Sequence, residues 1–250
     1  MKWQGWGQTD IGRVRKVNQD TFAIHPTLNL WIVADGMGGH AGGEIASQFV
    51  IETIGPFVEQ QQANKKSLTT EDREQLLCDA LTATNQAIRT HAREYPEYSG
   101  MGTTAVVLQI TEENPWQATI AHVGDSRAYL IQDDTITLLT RDHSLVEDRI
   151  DLGIITRDEA LTHPLRHVLT KGLGIEASVE ASVQTKPLQP TDKILLCSDG
   201  LTKMMTDEEF FNVIRQHNHS LKNACQQLVE TANRLGGDDN ITVVLVGAET

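Results

Sequence analysis

Cysteine is scarce in this chain. Cys78, Cys197 and Cys225 are far apart and odd in number, and no C-x-x-C pair occurs. A disulfide framework and a thiolate zinc site are therefore not expected. Long apolar runs are also missing: none approaches the ~18 residues that span a bilayer. The start, Met1-Lys2-Trp3-Gln4-Gly5-Trp6, lacks the apolar core of a signal peptide. The expectation is a cytoplasmic protein with no membrane partner. Basic residues are outnumbered, 21 Lys and Arg against 34 Asp and Glu, for a formal net charge of −13. That sign repels a nucleic-acid backbone or an anionic membrane. The excess acid serves solubility on the bland reading; on the sharper one, bound cations neutralise part of it. No repeat, low-complexity tract or Pro/Ser-rich linker divides the 250 residues, so one domain over 1–250 is expected.

Hydrophobic residues make up 39%, enough for a full core. Apolar alternation and short apolar runs predict strands near 20–25, 28–35, 103–110, 117–123, 127–132, 135–139, 193–198 and 241–246. Helical patterns cover about 43–62, 72–94, 206–217 and 220–235, and Thr206 followed by Glu209 has the form of a capping box. Few strands alternate one-to-one with helices, which argues against a doubly wound parallel sheet. The predicted class is α+β: two mainly antiparallel sheets packed as a sandwich with helix pairs outside. Residues 59–72 read as a polar surface connection. Residues 141–176 read as an irregular, mobile excursion from the sheets, a kind of segment that is often functional.

Four aspartates stand at the edges of apolar strands. Asp35 closes Trp31-Ile32-Val33-Ala34 and opens Gly36-Met37-Gly38-Gly39-His40. Asp125 follows Ala121-His122-Val123-Gly124. Asp199 follows Leu195-Leu196-Cys197-Ser198 and precedes Gly200, and Asp239 precedes Asn240 and the last strand. Strand ends hold side chains rigidly, and glycine admits close backbone approach. Clustered carboxylates select Mg²⁺, Mn²⁺ or Ca²⁺. One Asp-Gly alone reads as a turn; the repetition at hydrophobic strand ends favours a metal centre. Other candidates are weaker. The run Asp35–Gly43 lacks the Gly-Lys-Ser/Thr of a nucleotide P-loop. His163 and His167 have i, i+4 spacing, but Pro164 at a helix start explains them equally and no H-E-x-x-H supports zinc. His122 reads as a sheet-face residue and Cys197 as buried and inert.

The motifs Arg15-Lys16-Val17-Asn18-Gln19-Asp20, Asp35-Gly36-Met37-Gly38-Gly39-His40, Met101-Gly102-Thr103-Thr104, Val123-Gly124-Asp125-Ser126-Arg127, Cys197-Ser198-Asp199-Gly200 and Asp239-Asn240-Ile241-Thr242 follow one another in this order. Together, over residues 5 to 246, the chain resembles the type 2C metal-dependent protein serine/threonine phosphatases in their compact bacterial form. The resemblance implies a β-sandwich flanked by helix pairs and a variable flap at about 144–166.

The resemblance also implies roles. Asp35 bridges two core Mn²⁺ or Mg²⁺ ions, with the Gly36 carbonyl on one. Asp199 and Asp239 complete the other. Asp20 holds metal-bound water or ligates directly. Asp125 with Asp199 holds a weaker third ion. Arg15 grips the substrate phosphate, and His40 is the general acid for the leaving alkoxide. A metal-bridging water or hydroxide attacks directly, without a phospho-enzyme. Gln19 stands where many eukaryotic members carry an acid, and it adds no charge. The implied partners are phosphorylated proteins and an opposing serine/threonine kinase system, and the expected state is a monomer. The competing readings are a metal-dependent phosphatase of small molecules and an inactive phosphate-binding module; the latter should have lost a metal aspartate or the arginine, and none is missing.

Overall fold

The computed structural model describes residues 2–38, 42–63, 68–111 and 115–249. One sheet orders its strands β1 (Trp3–Asp10), β11 (Ile241–Ala248), β10 (Lys193–Cys197), β7 (Arg127–Gln132) and β8 (Thr135–Leu138). The other orders β2 (Asp20–His25), β3 (Leu30–Met37), β5 (Ala105–Ile110), β6 (Gln117–Val123) and β9 (Ser182–Pro187), with the short β4 (Gly102–Thr103) on β3. All these pairings are antiparallel.

The layers follow from the period-2 alternation of strand side chains. In β3, Trp31 and Val33 turn to the other sheet, where Ile194, Leu196, Val244 and Val246 meet them. Their neighbours Leu30, Ile32 and Ala34 turn outward, beneath Val50, Ile54, Leu77 and Leu81. Those four belong to the helices α1 (Gly42–Ala63) and α2 (Thr70–Glu94). On the opposite side, Leu195, Cys197, Val243 and Leu245 turn outward under Phe210 and Leu228. These two come from α6 (Asp207–Gln216) and α7 (Leu221–Leu235), which follow the one-turn helix α5 (Asp199–Thr202). Three apolar layers thus separate four structural ones, helices–sheet–sheet–helices. Strands buried on both faces read as continuous apolar runs, which is how β3, β5, β10 and β11 appear in the sequence.

The Thr206–Glu209 capping box is present, and Thr69 with Asp72 makes another at the start of α2. Two expectations are corrected. The connection at 59–72 is shorter, because α1 continues to Ala63 and α2 begins at Thr70; residues 64–67 lie outside the described residues. The 141–176 excursion is not wholly irregular: it carries α3 (Leu145–Asp151), capped by Ser144, and α4 (Arg157–Leu161), capped by Thr156 with Glu159. The helices are too short for a periodic signal, and ion pairs of Arg141 with Asp148 and Asp151 tie α3 to its entry.

Candidate metal centre

The aspartates gather at one end of the sandwich because the ends of neighbouring strands coincide. Asp20 opens β2 and lies directly opposite Asp35 in β3. Asp125 follows β6, whose end pairs with the start of β5 (Ala105 with Val123). Asp199 follows β10, and Asp239 stands two residues before β11. Arg15, Asp125, Asp199 and Asp239 line a two-lobed cleft, with cavity volumes of about 790 Å³ towards α3 and α4 and about 500 Å³ towards Gly36, Lys171 and Ile175.

The glycines after Asp35 and Asp199 serve space rather than turn geometry, since neither has positive φ. A Cβ on Gly36 would drive into the carbonyl oxygen of Gly43, and one on Gly200 into that of Asn240. These contacts let the α1 entry close against Asp35 and the Asp199 turn close against Asp239-Asn240.

Burial of so much like charge has clear electrostatic consequences. Burial, reinforced by the charges of Asp20 and Asp199, pushes the Asp35 carboxyl well above the usual range. Burial likewise pushes Asp20 up to about 7, although a hydrogen bond from Ser198 opposes it. Asp125 is pushed up to about 7 by burial and by Asp199 and Asp142. Asp239 behaves differently: burial raises it, but Lys203, the Asn240 N–H and Arg15 outweigh that and hold it low. Arg15 clamps it with Nε on Oδ1 (2.8 Å) and Nη2 on Oδ2 (2.9 Å). Lys203 Nζ bridges Asp199 Oδ2 and, at 3.0 Å, Asp239 Oδ2.

Divalent cations fit this site. The donors are hard carboxylate oxygens, and two of them, Asp20 Oδ1 and Asp199 Oδ1, are buried without a hydrogen-bond partner. A buried, unpartnered carboxylate oxygen calls for positive charge. Among the described residues, no group of three or more His, Cys, Asp or Glu side chains is closed up enough to hold an ion as it stands; Lys203 sits on Asp199 Oδ2, and Arg15 and Lys203 together take both oxygens of Asp239.

Several residues that hold the site were not singled out by sequence reasoning, although Asn240, Ser198 and Thr104 lie in quoted motifs. Asn240 Oδ1 accepts the Gln19 N–H (2.8 Å), and its Nδ2 donates to the Ile11 and Val17 carbonyls (2.9 and 3.0 Å). This side chain fixes the loop that carries Arg15. Ser198 Oγ donates to Asp20 Oδ2 (2.7 Å) and accepts the Thr242 N–H (3.0 Å), which joins the two sheets. Thr104 Oγ1 accepts the Asp35 N–H (3.2 Å). His143 Nδ1 accepts the Gly124 N–H (3.1 Å) while its own N–H donates to the Gly124 carbonyl (3.0 Å), which pins the turn before Asp125. Burial and the adjacent His122 push His143 down to about 3, so the ring is neutral and its Nδ1 is free to accept. Only signals of position could have found these residues, since each is an ordinary polar side chain in isolation.

The remaining sequence candidates separate. His40 lies outside the described residues. The helix assumed for His163 and His167 is absent: they lie in the turn after α4, and the His163 ring meets Arg149 (3.0 Å) and the Leu165 N–H (3.1 Å). His167 lines both lobes of the cleft instead. His122 is buried in β6, stacked on His143. Cys197 points into the core under α6 and α7, and burial pushes its thiol up to about 12.

Comparison with known proteins agrees with this architecture. The family model for protein phosphatase 2C matches residues 12–233. The serine/threonine phosphatase stp of Listeria welshimeri is 38% identical over 96% of this chain and 93% of its own length. Protein phosphatase PhpP of Streptococcus pneumoniae is 36% identical over 95% of this chain and 94% of its own. The crystal structure of the Mycobacterium tuberculosis serine/threonine phosphatase PstP/Ppp superposes with a TM-score of 0.88 at 33% identity, covering 100% of both chains. The PstP catalytic domain in complex with two manganese ions superposes at 0.85, with 31% identity and 99% of each chain covered. The chain therefore belongs to the protein phosphatase 2C family and is a metal-dependent serine/threonine protein phosphatase.

Proposed function

We propose that this protein dephosphorylates phosphoserine and phosphothreonine in cytoplasmic proteins, as a monomer opposing a serine/threonine kinase system, and that the aspartate cluster is its reaction centre. The observation that carries this reading is the convergence of Asp20, Asp35, Asp125, Asp199 and Asp239 around a cleft, with buried carboxylate oxygens left unpartnered. No helix among the described residues is long and apolar enough to cross a membrane. We read residues 1–250 as one catalytic unit, with the segment 144–166 as a flap beside the cleft.

Asp35, the Gly36 carbonyl, Asp199 and Asp239 would hold two core ions, Mn²⁺ or Mg²⁺, and Asp125 with Asp199 would hold a more weakly bound third. Bound there, divalent cations acidify water and offset the negative charge of the phosphoryl oxygens. Asp20 orients the attacking water through its unpartnered Oδ1, while Ser198 holds Oδ2. Arg15 sits at the rim of both lobes, where its planar fork suits a phosphate. Water attacks phosphorus in line, a new P–O bond forms, and the bond to the serine or threonine oxygen breaks. His40 gives its proton to that leaving oxygen. The thiol of Cys197 is turned into the core, which argues against a cysteinyl phospho-enzyme.

The test is turnover of a phosphothreonine peptide beside a nucleotide, with chelator and after Mn²⁺ or Mg²⁺ is restored. The peptide should be turned over far better, only with metal. Full activity in chelator, or preference for the nucleotide, would remove the proposal.

A further inference from the structure

Lys203 is the residue of the site that neither its motifs nor the roles above account for. It closes α5, four residues after Asp199, so helical geometry stacks the two side chains on one face. Its ammonium touches Asp199 Oδ2 and reaches Asp239 Oδ2 at 3.0 Å, spanning two carboxylates that come from different strands. The side chain is 27% exposed and the two carboxylates 18% each, so solvent screens these contacts only partly.

We propose that Lys203 is a built-in counter-cation of the metal centre: it holds Asp199 and Asp239 together until a divalent ion takes them over, and it thereby sets the affinity for that ion. The proposal rests on the reading of Asp199 and Asp239 as ligands. Lys203 holds Asp199 Oδ2 and Asp239 Oδ2, so an ion drawn to either oxygen would compete with the ammonium there, and two cations sharing one carboxylate repel. Ion binding is therefore an exchange. The apparent dissociation constant is the intrinsic one divided by the fraction of molecules in which Lys203 has let go. Arg15 also grips Asp239, but its side chain is 50% exposed against 27% for Lys203, so solvent screens that pair more.

The experiment is a calorimetric Mn²⁺ titration of the wild type, Lys203→Met, Lys203→Gln and Lys203→Arg, with thermal melts of each in chelator and in saturating Mn²⁺. The neutral variants should bind Mn²⁺ about tenfold more tightly or better, about 1.4 kcal/mol, while Lys203→Arg stays near the wild type. In chelator the neutral variants should melt below the wild type, and Mn²⁺ should close the gap. A neutral variant that unfolds in chelator and is restored by Mn²⁺ supports the role; one that Mn²⁺ does not restore counts against it. Equal or weaker Mn²⁺ binding by both neutral variants overturns the role of Lys203 while leaving the metal centre intact. A wild type that binds no Mn²⁺ overturns the metal centre itself, and this inference with it.

Discussion

Asp20 and Asp35 face each other directly across the β2–β3 ladder. Like charges at opposed positions destabilise an antiparallel pair, and here both carboxyls are also held out of water. A sheet keeps such a pair by holding protons on it or by drawing in positive charge. Asp35→Asn should therefore abolish Mn²⁺-dependent turnover while stabilising the metal-free protein. Relief of about 1 kcal/mol corresponds to roughly 2–4 °C in a protein of this size. Melts in chelator check this: a lower Tm for Asp35→Asn would mean that the carboxylate is structural.

The raised acids give a pH dependence with a definite sign. Asp20 and Asp125 titrate near 7 in the folded chain, against ~3.9 for an unfolded aspartate. Between those values the folded state binds more protons than the unfolded one. The stability this contributes is complete below about pH 4 and is lost as pH rises through about 7. In chelator, Tm should fall between about pH 4 and about pH 7 and level off above that. Metal needs the carboxylates ionised, so Mn²⁺ binding should release protons and weaken as pH falls. Titrations in buffers of different ionisation enthalpy measure that release. A flat Tm profile in chelator would show that both acids ionise normally.

Asp125 is free of the structural duty its neighbour suggests. Arg127 does not pair with it; the guanidinium makes a two-point contact with Asp142 (2.9 and 2.7 Å). Asp125→Ala should keep the fold and the two core ions, lose most phosphopeptide turnover, and bind one ion fewer at high metal concentration. Wild-type turnover with unchanged stoichiometry would leave Asp125 as a turn residue.

Asn240 fixes the Arg15 loop through three hydrogen bonds from one buried side chain. Asn240→Ala leaves those backbone groups unmatched, at a cost on the order of 3 kcal/mol. It should raise KM for every phosphorylated substrate, as Arg15→Ala should, because both act on phosphate binding. Unchanged KM in Asn240→Ala, with only stability lost, would show that Arg15 keeps its place without this anchor.

If His40 protonates the leaving oxygen, His40→Ala should slow a phosphoserine peptide by about 10²–10⁴ and an aryl phosphate far less, since a phenolate leaves unaided. Equal losses on the two substrates would take His40 out of that role.

The sequence by itself determined the strands and helices that carry their own pattern. The doubly buried runs of β3, β10 and β11 and the capped helices are legible because burial on both faces, and capping, leave local residue signatures. The acidic strand ends were legible for the same reason: a charge closing an apolar run stands out. Tertiary structure decided the rest. β1 contains Gly5 and Gly7, which weaken a strand locally; they are there because the Trp31 indole and the Phe22 ring pack against their backbone. β9 is an edge strand and half-buried, so it needs little apolar sequence. Above all, only the β2–β3 register brings Asp20 opposite Asp35, and only the meeting of the chain after β10 with the chain before β11 brings Asp239 to Lys203, which helical spacing already sets beside Asp199. Contacts that cross from one element to another, such as Asp20 with Asp35 or Lys203 with Asp239, leave no periodic trace for the sequence to show.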